Sequence, residues 1–158
     1  MIWNAQNCSD LNIFSIFYRC PQLSSITIGK NVKKIPSCAF YGCNKIKSIT
    51  IPDNVTFIGD KAFYGCYSLT SITIPDGVTS IGYSAFDGCG KLEIVYYKGS
   101  KTQWNKISTS SYNSNLTSAT RYYYSETEPA LNSDGSAYDG NYWHYDTNST
   151  TPVIWKKQ

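Results

Sequence analysis

Between residues 23 and 91 the apolar and polar positions of this chain follow one pattern, written three times. Residues 69–91 carry it most fully: Leu69, Ile72 and Ile74, then Val78 and Ile81, then Ala85 and Phe86, then Cys89. The alternation Ile72-Thr73-Ile74 has the period of a half-buried strand. Pro75-Asp76-Gly77 predicts a turn, in which proline presets φ and glycine is free to take φ > 0. Val78 and Ile81 predict a second short extended segment, and Gly82 a further bend. Ala85-Phe86 predicts a single helical or irregular turn that points inward, closed by Gly88-Cys89.

The period is 23 residues. Residues 46–68 (IKSITIPDNVTFIGDKAFYGCYS) and 69–91 (LTSITIPDGVTSIGYSAFDGCGK) agree at fourteen of 23 positions without a gap, and residues 23–45 (LSSITIGKNVKKIPSCAFYGCNK) follow the same plan. A frayed copy precedes them, because Phe17, Tyr18 and Cys20 lie 23 residues before Phe40, Tyr41 and Cys43. A fourth unit opens at Leu92 (LEIVYYKGS) and then departs from the pattern. Segments this short cannot bury their apolar side alone; stacked, they share one continuous core. Repeats of this length with L-x-x-L-x-L spacing make a leucine-rich solenoid. The expected fold is therefore a leucine-rich repeat solenoid, mostly β with short helical or irregular turns, and a β-rich C-terminal cap. Its expected divisions are a degenerate N-terminal repeat (1–22), three repeats (23–91), and a closing repeat with an aromatic cap (92–158).

The segments I-T-I-P, V-x-x-I-G and A-F-x-G-C occur together in this order, in full at residues 46–66 and 69–89, and at 23–43 with G-K for P-D and Pro36 in place of the glycine of V-x-x-I-G. In this combination the chain resembles the BspA-like leucine-rich repeat proteins of bacterial cell surfaces. The resemblance is strong over about residues 17–91, and VYYKGSKTQWNKI (95–107) is similar to the closing unit of such arrays. It implies an adhesion or interaction protein, with a protein ligand such as a host extracellular-matrix protein. It also implies an extracellular or cell-surface location.

Composition changes little in this picture. The formal charge is +3. One loose group of lysines, Lys30, Lys33, Lys34, Lys45 and Lys47, reads as a solvated face, too weakly clustered for a nucleic-acid footprint. No apolar run approaches the roughly eighteen residues of a membrane span. The opening MIWNAQNCSD has no basic segment followed by an apolar stretch, so it is not a signal peptide. A secreted parent would carry its targeting region elsewhere, and the chain reads as a fragment.

The candidate chemistry is sparse. Cys20, Cys43, Cys66 and Cys89 recur with the repeat and are expected to stack as a column of buried thiols, small apolar filler rather than disulfides. No C-x-x-C pair offers a zinc site. Cys8 and Cys38 fall outside the column. His144, the single histidine, alternates with aromatic residues in GNYWHYD and reads as a packing residue rather than a general base. NSDGSAYDG (132–140) is faintly like a calcium loop, but Ala137 and Trp143 occupy the places where glycine and glutamate are needed. Two tight turns leading into a hairpin are the plainer reading. Asp53, Asp60, Asp76 and Asp87 are spaced by the repeat rather than paired. The expectation is a non-enzymatic protein with no metal and no cofactor.

The strand residues flanking each buried isoleucine should face outward on the concave side: Ser25 and Thr27, Ser48 and Thr50, Ser71 and Thr73, then Ile94 and Tyr96. Such a column is the surface solenoids use for ligands. After residue 92 the chain predicts a helical turn or two at 102–107, an aromatic strand ended by Pro129, and two strands joined by a polar turn near 147–151. These aromatics suit a cap, since a terminal repeat leaves one core end bare. The rival reading makes Tyr122, Tyr124, Tyr142, Trp143 and Tyr145 a glycan-stacking platform. The expected function is thus binding of a macromolecule, a protein above all, on the concave strands. The alternatives are a glycan-binding module built on the C-terminal aromatics, or a structural spacer.

Overall fold

The computed structural model describes residues 2–3, 16–129, 141–146 and 151–155. Each 23-residue unit becomes one coil of a solenoid, and each coil contributes strands to two sheets. The larger sheet has six strands, in spatial order Pro152–Ile154, Tyr142–Tyr145, Thr120–Tyr124, Ile94–Tyr97, Ser71–Ile74 and Ser48–Thr50. All its neighbours are parallel except the first pair, which forms an antiparallel hairpin. The smaller sheet runs parallel through Lys34–Ile35, Phe57–Ile58, Ser80–Ile81 and Ser108–Thr109. Thr27–Ile28 lies beside Ser48–Thr50 but pairs in parallel with Ile2–Trp3, outside the six-stranded ladder.

The register follows the repeat. Ile49, Ile72 and Val95 align across three strands and are buried, as the alternating pattern requires. A third ladder runs through the A-F-x-G-C turns: the amides of Phe17, Phe40 and Phe63 donate to the carbonyls of Ala39, Ala62 and Ala85 in the next coil. Phe17, Phe40, Phe63 and Phe86 consequently stack at 5.5, 5.2 and 5.1 Å between ring centres, down the middle of the core. Stacked rings at this separation add about 0.5–1.5 kcal/mol per pair beyond their buried area.

Two details of the turns differ from the sequence reading. Gly77 and Gly82 do not take positive φ. Gly82 is required by close approach instead, since a Cβ there would sit 2.5 Å from the Asp60 backbone nitrogen. The left-handed positions fall elsewhere, at Gly42, Gly65 and Gly88, with Arg19 filling the same place in the frayed copy. Cys38, Lys61 and Ser84 share a second such position and turn their amides toward the following coil, onto Asp60, Tyr83 and Ser111.

The thiols stand in the expected column and are free. Cys43, Cys66 and Cys89 are buried, whereas Cys20 is half-buried at the frayed end. They are more than filler, for each buried Sγ donates to a phenylalanine carbonyl of the preceding coil: Cys43 to Phe17 (3.1 Å), Cys66 to Phe40 (3.2 Å) and Cys89 to Phe63 (3.1 Å). Burial pushes the Cys43 thiol up to about 12. Contact with the Cys89 thiol, together with burial, pushes Cys66 up as well. Cys38 is free and half-buried outside the column. Cys8 and residues 132–140 lie outside the described residues.

The fourth unit ends the repeat by substitution. Phe86 has no further A-F turn above it, and its amide donates to the Asn113 side-chain oxygen at 3.0 Å. The Asn113 amide donates in turn to the carbonyls of Gly82 (2.9 Å) and Ser110 (2.8 Å). One buried side chain thus replaces the next coil's backbone. The helical turn expected near 102–107 is Lys101–Trp104, opened by a Ser100–Gln103 capping box. A second short helix, Ser114–Ser118, was not foreseen.

Three outcomes test this arrangement. In the native protein Cys43, Cys66 and Cys89 should resist a thiol reagent at pH 8, and all should react after denaturation without reductant. The raised Cys43 and Cys66 thiols favour the neutral folded form, so their contribution is complete below about pH 9 and that of Cys43 is lost as pH rises toward 12. The stability of a Cys43→Ala, Cys66→Ala variant should therefore fall less steeply above pH 9, measured by urea unfolding. Separately, Ile72→Asp should cost more than about 3 kcal/mol by burying an unpaired charge, while Thr50→Asp should change stability by under about 0.5 kcal/mol. Equal melting temperatures for the two would mean the strand register is wrong.

Candidate functional site

The strand alternation puts two rows of side chains on the outward face of the six-stranded sheet. Ser48, Ser71, Ile94 and Thr120 form one row; Thr50, Thr73, Tyr96 and Tyr122 form the next. Ser25 and Thr27 extend the rows by the 23-residue period and line the same cleft as Ser48 and Thr50. Ser25, Thr27, Ser48 and Thr50 are exposed, Ser71, Ile94 and Tyr96 half-buried. Thr73 departs from expectation. It faces outward in register but is only 4 % exposed, at the point where the row meets the aromatic rings beyond it. Thr73 is therefore no free contact residue.

Those rings come from the C-terminal strands. Tyr124 and Trp143 are paired across adjacent strands, and Tyr145 follows Trp143 on the same face. Trp143 reaches back over the sheet, and its indole Nε1 donates to the Tyr97 carbonyl at 2.9 Å. Tyr96, Tyr124 and Tyr145 surround it edge-on at 5.4, 5.2 and 4.9 Å. Burial, with the Tyr122 hydroxyl nearby, holds the Tyr96 hydroxyl above its usual pKa.

The two candidate surfaces are consequently one. The hydroxyl rows run directly into the aromatic cluster, and only the far coils stay open. Within the proposed glycan platform, Trp143 is 0 % exposed and offers no ring face to a sugar. Tyr142 belongs to the opposite face, packed against the core beside Tyr123. Tyr122, Tyr124 and Tyr145 remain half-exposed. His144 also lies on the opposite face, stacked on Trp155 at 4.0 Å, with its Nδ1 2.8 Å from the Tyr145 carbonyl.

One residue that sequence reasoning did not single out, Lys98, closes the open part. Lys98 spans two coils to bond Asp53 Oδ1 at 2.6 Å, and its ammonium sits 5.2 Å from the Tyr145 ring centre. Burial alone would lower this ammonium's pKa, but the bond to Asp53 and the nearby Tyr145 hydroxyl outweigh it and leave Lys98 above the usual lysine value. Asp53 is mostly exposed, so the ion pair contributes about 0–1 kcal/mol; its effect is to position. Lys98 and Tyr145 form one wall of a cleft of about 610 Å³, floored by Ser25, Thr27, Ser48 and Thr50. The signal for Lys98 was its place two residues after Tyr96, where the earlier coils carry Pro52 and Pro75. Among the described residues, no cluster of His, Cys, Asp and Glu could hold a metal ion. No described helix is long and apolar enough to cross a membrane.

A coil of this geometry has known counterparts. The model of the BspA type leucine-rich repeat region, in six copies, matches residues 14–128. Among solved structures, the chain is similar to a leucine-rich cell surface protein from Faecalibacterium prausnitzii A2-165. They are 45 % identical, with a TM-score of 0.57, covering 59 % of this chain and 24 % of the other. A leucine-rich repeat protein from Bacteroides ovatus ATCC 8483 is 34 % identical, with a TM-score of 0.41, covering 51 % of this chain and 27 % of the other. The chain thus spans about a quarter of the length of either. No curated protein matches it. With most of its length matched by the repeat model, and the register, phenylalanine stack and paired sheets all following that repeat, the chain belongs to the BspA-type leucine-rich repeat family.

Proposed function

We propose that this chain is a non-enzymatic interaction module of a cell-surface protein, and that it binds a protein ligand in the open cleft at the Ser25–Thr27 and Ser48–Thr50 end of the larger sheet. The cleft itself carries the reading: about 610 Å³ of open space floored by hydroxyls, with a rigid aromatic and cationic wall at one end. Neighbouring strands repeat every 4.7–4.9 Å, so the floor presents a regular ladder of donors and acceptors to a chain laid across it. Tyr145 is the natural anchor, because its ring is fixed by Trp143 and Lys98 and little rotamer entropy is lost on contact. Tyr96 is less suited to that role than its place in the row suggests, being half-buried beneath Trp143. The division into a frayed first unit (1–22), three repeats (23–91) and a closing, capping part (92–158) belongs to the same reading, as does an extracellular location. Similarity to the Faecalibacterium cell surface protein supports that location.

The reading is checked by screening the chain against extracellular-matrix proteins and a glycan array, then measuring variants against whatever binds. Thr50→Trp should fold normally and weaken a protein ligand at least about tenfold by filling the cleft, and Tyr145→Ala should do the same by removing its wall. Single Ser→Ala or Thr→Val changes should cost only about 0.5–1.5 kcal/mol each. A glycan hit that Tyr145→Ala abolishes and Thr50→Trp leaves intact would transfer the function to the aromatic end.

A further inference from the structure

The charges of this chain are sorted along the solenoid axis. From residue 16 to residue 52 there are six cations, Arg19, Lys30, Lys33, Lys34, Lys45 and Lys47, and no Asp or Glu. From residue 53 to residue 93 the balance reverses: Asp53, Asp60, Asp76, Asp87 and Glu93 face only Lys61 and Lys91. A net charge of +3 hides this separation. The five lysines of the first stretch are all exposed.

Their placement relates them to the cleft. Lys30 lines it, just after the Thr27–Ile28 strand, and Lys45 and Lys47 directly precede the Ser48–Thr50 strand. Cations therefore stand at both ends of the open strands. Asp53, the one carboxylate lining the cleft among the described residues, is already paired with Lys98. The hydroxyl floor is neutral, so the field within the cleft is set by its rims. At physiological ionic strength the Debye length is about 8 Å, which lets rim lysines act across an opening of this size.

Resting on the cleft as the binding site, we propose that its ligand is an acidic segment of protein, in which carboxylates alternate with small or apolar side chains. The basic coils would steer it and the hydroxyl floor and Tyr145 would seat it. A uniform polyanion fits less well. A sulfated glycan or nucleic acid presents dense charge along its whole length and would leave half-buried Ile26 and the Tyr145 ring without use. A mixed peptide uses both the rim and the lining.

The probe is a fluorescein-labelled peptide of alternating glutamate and serine, followed by anisotropy, with its glutamine–serine counterpart, a heparin oligosaccharide and oligothymidylate in parallel. The glutamate peptide should bind, weakening about tenfold or more between 0.05 and 0.5 M salt. Lys30→Glu, Lys47→Glu should weaken it at least about tenfold, whereas Lys91→Glu, Lys106→Glu, an equal charge change elsewhere, should shift it under about threefold. Equal losses in both variants, or equal binding of the glutamine peptide, would overturn the acidic preference. Binding of heparin or oligothymidylate without the peptide would overturn it too. Thr50→Trp separates the two ideas. If a neutral peptide binds and Thr50→Trp blocks it, the cleft stands and the acidic ligand falls. If the acidic peptide binds through Lys30 and Lys47 yet ignores Thr50→Trp, the cleft itself is wrong.

Discussion

The hydrogen-bonded ladder between successive coils governs this protein, because it fixes their separation at one strand spacing on three sides at once. Both sheets hold that distance, and the A-F-x-G-C turns hold it again through amides such as Phe40 to Ala62. With the spacing set, the identity of the repeating residues follows. Only glycine fits where Gly59 and Gly82 approach the backbone of the coil before, since a Cβ at Gly59 would lie 2.5 Å from the Ser37 nitrogen. Rings fit at the Phe40 and Phe63 positions because a ladder step and an aromatic stack have nearly the same length. A thiol fits beneath them because it is small, and its weak donor finds the carbonyl one coil back.

A ladder must also stop, and the two ends here stop differently from the middle. At the C-terminal end of the turn ladder, Asn113 supplies the acceptor and donors that a further coil would have supplied. The larger sheet instead continues into Thr120–Tyr124 and Tyr142–Tyr145 and then reverses direction at Pro152–Ile154. These added strands carry large rings on the outward face, where the repeats carry serine and threonine. Trp143 folds back over that face rather than pointing into solvent, and Thr73 loses its exposure there. Ending the sheet and shaping the cleft are the same event.

Much of this was legible beforehand, for a physical reason: a strict repeat states its own register. The buried Ile49 and Ile72, the outward Ser48 and Thr50, the thiol column and the C-terminal hairpin strands all follow from period and alternation. What was not legible depends on contacts between residues far apart in sequence and outside the repeat. Nothing local marks Asn113 as a surrogate backbone, or tells Trp143 to bond the Tyr97 carbonyl 46 residues away. Gly82 was recognisable as necessary but not for the right cause, since crowding between coils leaves no trace in the turn's own sequence. The platform reading failed for Trp143 because aromatic composition does not say which rings are covered.

The same constraint says where specificity resides in such a chain. Inward positions are held by spacing, stacking and volume, so they carry the repeat and little else. Outward positions are free to change, and the informative ones are those that break the pattern of their column. Tyr96 stands where the column has Thr50 and Thr73, Ile94 where it has Ser48 and Ser71, and Lys98 where it has Pro52 and Pro75. Lys30 breaks its column in the other direction, holding a cation where the next two coils have Asp53 and Asp76. Lys30 and Lys98 border the cleft together with Asp53 and Tyr145, whereas Ile94 and Tyr96 do not line it. The two departures that carry charge, Lys30 and Lys98, thus meet at the same cleft, so its electrostatics are set by residues that leave the repeat rather than by the repeat itself.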